Sequence, residues 1–118
     1  MDIYKEEIID HYENPRNYGD VDGYTVCERD SNASCGDMVE FQLSVKNGVV
    51  EDVGWKGVGC AITMASSSKL SEWVKGRKVE ELKKKSVEEL VKIVGIEVSA
   101  GRKKCVLLPI QVLKKLVE

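Results

Sequence analysis

The sequence predicts an α+β protein: a three-stranded antiparallel sheet with helices packed mainly on one of its faces. Three observations carry that expectation. Val39, Phe41, Leu43 and Val45 alternate with Glu40, Gln42, Ser44 and Lys46, which is the two-residue period of a half-buried strand. Asn47-Gly48 follows at once and is the strongest short hairpin signal. Beyond Gly57-Val58-Gly59 the chain reads as helix, with apolar residues spaced three and four apart.

Taken in order, Asp2 is placed to cap a first helix whose apolar positions are Tyr4, Ile8 and Tyr12. Asn14-Pro15 ends it, because proline biases the preceding residue away from helix. Strands are expected over 24–28, 38–46 and 49–56, in a meander. From Ala61 a helix presents Ile62, Ser66, Leu70, Trp73 and Val74 on one face, and Lys75-Gly76 stops it. Val79 to Leu82 reads as a short helical turn. Ser86 with Glu89 forms a capping box that opens a helix through about Val94. After a loop over 95–101, Val106, Ile110, Leu113, Leu116 and Val117 define a last amphipathic helix, with Pro109 expected in its first turn.

At 118 residues the chain fits one domain, 1–118, large enough to bury a core without disulfides. A net charge of −2 argues against nucleic acid or an anionic membrane as a partner. No apolar run approaches the ~18 residues of a membrane span, and the segment Met1 to Glu7 has no basic stretch followed by an apolar one, so no secretory signal is expected. The expected compartment is therefore the reducing cytoplasm, where thiols stay free. Four cysteines then suggest metal or sulfur chemistry rather than a disulfide framework. Cys27, alone in a strand, reads as a small buried hydrophobe.

The other three cysteines stand where the backbone is marked to turn. Cys35 and Asp37 flank Gly36 just before the best strand, Cys60 follows Gly59 at a helix start, and Cys105 opens the last helix. A helix N-terminus favours thiolate at Cys60. Arg102, Lys103 and Lys104 are expected to act the same way on Cys105, so all three are expected as nucleophilic, metal-competent thiols. Spacings of 25 and 45 residues are not those of a compact structural zinc motif. On residue types alone, a metal or sulfur site competes evenly with a turn-capping Asp37 beside inert thiols. His11 is expected either at the site or bonded to a loop. Ser66-Ser67-Ser68 reads as close helix packing, Lys83-Lys84-Lys85 as a solvated helix end, and Arg102-Lys103-Lys104 as a surface for an acidic partner.

Five segments in order carry a resemblance: Asp10 to Asn17 (DHYENPRN), Ala33 to Asp37 (ASCGD), Gly57 to Ser68 (GVGCAITMASSS), Glu72 to Gly76 (EWVKG), and Cys105 ahead of the final helix. From end to end the chain resembles the IscU/NifU N-terminal family of iron–sulfur cluster assembly scaffolds, with an IscU/SufE-like fold. The resemblance implies a non-catalytic scaffold. It would accept sulfur from a cysteine desulfurase and iron from a donor, assemble a [2Fe–2S] cluster, and pass it to apo iron–sulfur proteins. Cys35, Asp37, Cys60 and Cys105 match the family's ligands, and Cys105 is the expected sulfur acceptor. A carboxylate is a harder ligand than the thiolate of a permanent centre, so Asp37 is expected to act in release.

Two departures matter. Lys104 stands where many relatives have a histidine, and a protonated lysine has no lone pair for iron. Val98 to Arg102 replaces the Leu-Pro-Pro-Val-Lys segment read by an Hsp70-type chaperone. Arg102 to Leu107 is more similar to the SufU branch, although its insertion between the second and third cysteines is missing. The rival reading is thus a zinc-dependent sulfur acceptor of the SufU type holding Zn2+. A purely structural zinc domain is disfavoured by the ligand spacing. A second copy of the chain would shield or share a half-exposed cluster, so a homo-oligomer fits either reading.

Overall fold

The computed structural model describes residues 3–32 and 36–118. Helix α1 spans Ile3–Glu13, and the sheet is built from β1 (Val26–Asn32), β2 (Asp37–Lys46) and β3 (Val49–Val58). The helices α2 (Ala61–Val74), α3 (Val79–Lys84), α4 (Val87–Val94) and α5 (Lys103–Leu116) follow, the last preceded by a 3-10 turn at Ala100–Arg102. No helix of the described residues is long and apolar enough to cross a membrane. Asp2, expected to cap α1, lies outside the described residues.

The sheet is an antiparallel meander in the order β1-β2-β3. Asn47 and Gly48 both take positive φ, 53° and 77°, as a two-residue hairpin turn of matching twist requires. Phe41 pairs with Trp55 and Leu43 with Val53, so these side chains share one face. They are buried there with Leu70, Val106, Ile110 and Leu113 from α2 and α5. The opposite face is partly covered by the segment after α1. Val21 N–H donates to Gln42 Oε1 at 2.8 Å, and Gly19 N–H donates to the Trp55 carbonyl at 2.8 Å. Gly54 is needed for that cover, because a Cβ there would lie 2.8 Å from Val21 Cγ2.

Helix ends follow their sequence signals where side chains supply the caps. Ser86 Oγ accepts from Glu89 N–H at 3.1 Å, and Glu89 Oε1 accepts from Ser86 N–H at 3.2 Å, the expected capping box. Gly95 closes α4 in the left-handed conformation. Lys83 and Lys85 expose their carbonyls to Lys114 Nζ, at 3.0 and 2.8 Å, so the end of α3 is tied to α5 rather than merely solvated.

Three expectations about elements are corrected. β1 runs to Asn32 rather than ending near residue 28, because backbone pairing with β2 continues to Asn32↔Asp37 through a polar stretch. β3 runs through Gly57 to Val58. Gly57 is a strand residue whose absent Cβ leaves room for the Met38 carbonyl, 2.8 Å away. Pro109 lies in the interior of α5, two turns in, and is buried. Lacking an N–H, it gives no intrahelical bond to the Cys105 carbonyl four residues back. The next carbonyl, that of Val106, accepts the Ser66 hydroxyl at 3.1 Å.

Candidate metal and sulfur site

The loop from β3 to α2 brings the expected donors together. Asp37 is the first residue of β2, Cys60 is the N-cap of α2 with φ −71° and ψ 167°, and Cys105 lies in the first turn of α5. One carboxylate oxygen of Asp37 and the sulfurs of Cys60 and Cys105 all lie within 4.8 Å of one another. Cys35 lies outside the described residues. The three donors line one cavity of about 450 Å³, with Gly36, Val58, Arg102 and Lys104 among its other walls. Asp37 and Cys105 are each 4% exposed, whereas Cys60 is half-buried.

The two described thiols are tuned in opposite directions. Burial pushes the Cys60 thiol up. The Thr63 side chain beside it, the N–H groups of Thr63 and Ile62 at the start of α2, and the Cys105 thiol more than offset it, so the net shift is downward. Burial pushes the Cys105 thiol up as well, and there the neighbouring Cys60 and the Asp37 carboxylate reinforce it. The expectation of a low pKa therefore fails for Cys105. Arg102, Lys103 and Lys104 are exposed, and water screens their charge.

Thr63, missed in the sequence, completes the arrangement. Its Oγ1 donates to Asp37 Oδ2 at 2.5 Å and lies 3.5 Å from Cys60 Sγ. Gly59 is required beside it: a Cβ at that position would fall 2.7 Å from Asp37 Cγ. The available signal was Thr63 three residues after Cys60 at a helix start, where the two side chains share a face.

Two other expectations are corrected. Cys27 is exposed, because its register opposite Gln42 puts it on the sheet face away from the core. His11 is buried, but it neither joins the donor cluster nor bonds a loop. Ser68 Oγ on α2 accepts the Arg16 N–H at 2.9 Å and lies 2.7 Å from His11 Nδ1. The other ring nitrogen, Nε2, lies 3.6 Å from a Glu72 carboxylate oxygen. Ser66, Ser67 and Ser68 are all fully buried, as close packing requires, and each also makes a hydrogen bond of its own. Ser68 is closed to substrate, so its contact with His11 is a structural tie between α1 and α2.

Comparison with known proteins agrees with this architecture. The sequence profile of the family described as "NifU-like N terminal domain" matches residues 3–118. Over 87 residues the chain is 45% identical to the iron–sulfur cluster assembly scaffold protein IscU of Haemophilus influenzae, covering 66% of this chain and 65% of that protein. It is 37% identical over 78 residues to the zinc-dependent sulfurtransferase SufU of Bacillus subtilis, covering 66% of this chain and 52% of that one. The chain thus matches just under two thirds of the first relative's length and about half of the second's. A crystal structure of the N-terminal part of a nitrogen-fixing NifU-like protein from Brucella abortus superposes with a TM-score of 0.77 at 21% identity, covering 98% of this chain and 92% of that one.

Proposed function

The chain belongs to the NifU-like N-terminal domain family, and on that premise we propose that it is a scaffold on which a [2Fe–2S] cluster is assembled for delivery to apo-proteins. The observation that carries the reading is the convergence of Asp37, Cys60 and Cys105 within 4.8 Å along the lining of one cavity. Two sulfurs and a carboxylate oxygen from three separate elements suit a thiophilic metal, and Cys35 is the proposed fourth donor. The cluster is cargo rather than a resident group. Three thiolates give it affinity, and the harder carboxylate gives one position that exchanges.

Sulfur would arrive as the persulfide of a cysteine desulfurase. The Cys105 thiolate attacks the outer sulfur, a new S–S bond forms, and the desulfurase leaves as its own thiolate. Burial and the raised pKa of Cys105 mean that this step requires the thiol to be uncovered and deprotonated as the partner docks. Arg102 and Lys103, exposed beside the cavity, supply a positive surface for an acidic face of that partner. The scaffold itself performs no turnover in this reading.

Anaerobic reconstitution with iron and sulfide tests the proposal. It should yield a coloured protein with about two irons and two sulfides per chain or per shared site. A second reading, a zinc-dependent sulfur acceptor, draws support from the 37% identity to the Bacillus subtilis SufU and from a donor set that zinc also accepts. A protein that stays colourless while holding zinc tightly would decide for it.

A further inference from the structure

Thr63 stands between two of the three clustered donors, and its side chain is completely buried. Its hydroxyl has a single proton. With Asp37 Oδ2 at 2.5 Å and Cys60 Sγ at 3.5 Å, that proton belongs to the carboxylate. The threonine is itself held in place, since the Ser67 hydroxyl donates to the Thr63 carbonyl at 2.9 Å. Gly59 also presses its backbone against Asp37, leaving no space for even a methyl group between them. The carboxylate is thus held by the Thr63 hydroxyl and hemmed in by the Gly59 backbone, with one oxygen already engaged.

We propose that Thr63 is a positioning residue of this site: by occupying one oxygen of Asp37 it makes the aspartate a ligand through a single oxygen, in one orientation. The inference rests on the reading of Asp37 as a metal ligand. Its chemical content is that a carboxylate with both oxygens free rotates and chelates readily, whereas a hydrogen bond from a neutral donor to one oxygen disfavours both. Outer-shell hydrogen bonds of this kind commonly change metal affinity by about 10- to 100-fold when removed.

Cobalt(II) added to the metal-free protein is the probe, because its visible absorption reports both sulfur ligation and coordination number. Thr63→Val keeps the shape and removes the donor. It should bind cobalt about 10- to 100-fold more weakly and show altered ligand-field bands, while the midpoint of urea unfolding confirms that it is folded. Thr63→Ser should restore both affinity and spectrum, which a purely packing role of the threonine methyl would not allow. In an Asp37→Ala background, Thr63→Val should change nothing further. Wild-type affinity and spectrum in Thr63→Val, with Asp37→Ala altered, would overturn the role of Thr63 alone. Identical cobalt binding by the wild type and Asp37→Ala would overturn both this inference and the reading of Asp37 on which it rests.

Discussion

Gly59→Ala adds one methyl group where the β3–α2 loop leans on Asp37. Gly59 is not among the positive-φ glycines, so the substitution brings no backbone strain, and its effect is the collision alone. The new Cβ would lie 2.7 Å from Asp37 Cγ and 2.8 Å from Oδ1. To reach ordinary contact the carboxylate must retreat by roughly 0.7 Å or more. A retreat of that size distorts and weakens the 2.5 Å bond from Thr63. Asp37 is 4% exposed, so water does not make up for the weakened bond. A hydrogen bond to a buried charged group is worth about 1.5–3 kcal/mol, which is the expected loss of stability. When Asp37→Ala is already present, the same methyl group should cost about 0.5 kcal/mol or less. Urea unfolding of the four metal-free variants therefore gives a coupling of about 1.5–3 kcal/mol between positions 37 and 59. Additive effects within about 0.5 kcal/mol would refute the claim that Gly59 exists to seat the carboxylate.

Ser68→Ala removes the oxygen shared by His11 Nδ1 and the Arg16 N–H, leaving one buried and one partly buried group without that partner, at a cost of about 1–3 kcal/mol in urea unfolding. Burial, reinforced by Arg16 and Lys69 and only partly offset by Glu72, holds the His11 pKa below its ordinary value of 6.5. The neutral ring is thus the folded form. Its stability contribution is complete above pH 6.5 and is lost as pH falls through the folded pKa, so wild-type stability should fall more steeply below pH 6.5 than that of His11→Gln. Alkylation followed by mass spectrometry at neutral pH should modify Cys60 well before Cys105, because the first is half-buried with a lowered pKa and the second is buried with a raised one. Equal rates at the two thiols would contradict that assignment.

What the sequence made legible was what local chemistry alone determines. The alternation through Val39 to Val45, the Asn47-Gly48 turn and the Ser86/Glu89 box each fix backbone conformation within a few residues, and all three stand in the structure. The polar end of β1 was not legible, because its pairing partner on β2 makes the strand rather than its own propensity. Gly57 looked like a break but serves as a close approach between strands, a distinction that only the neighbouring carbonyl reveals. The donor cluster was readable from residue types at turns and from the family resemblance. Its electrostatics were not. Neighbours in sequence suggested a cationic setting for Cys105, whereas burial and the Cys60 and Asp37 groups facing it from other elements dominate. Thr63 and Gly59 escaped for the same reason, since each matters only through its distance to Asp37.

On the proposed scaffold reading a cluster is held here in order to be given up, and cluster transfer tests that most directly. Reconstituted protein is mixed anaerobically with an apo-ferredoxin, and the appearance of the ferredoxin spectrum is timed. The wild type should hand over its cluster, and Asp37→Cys, which replaces the exchangeable carboxylate with a fourth thiolate, should slow the transfer by about tenfold or more. A wild-type cluster that never moves, or identical rates for the two proteins, would contradict the account.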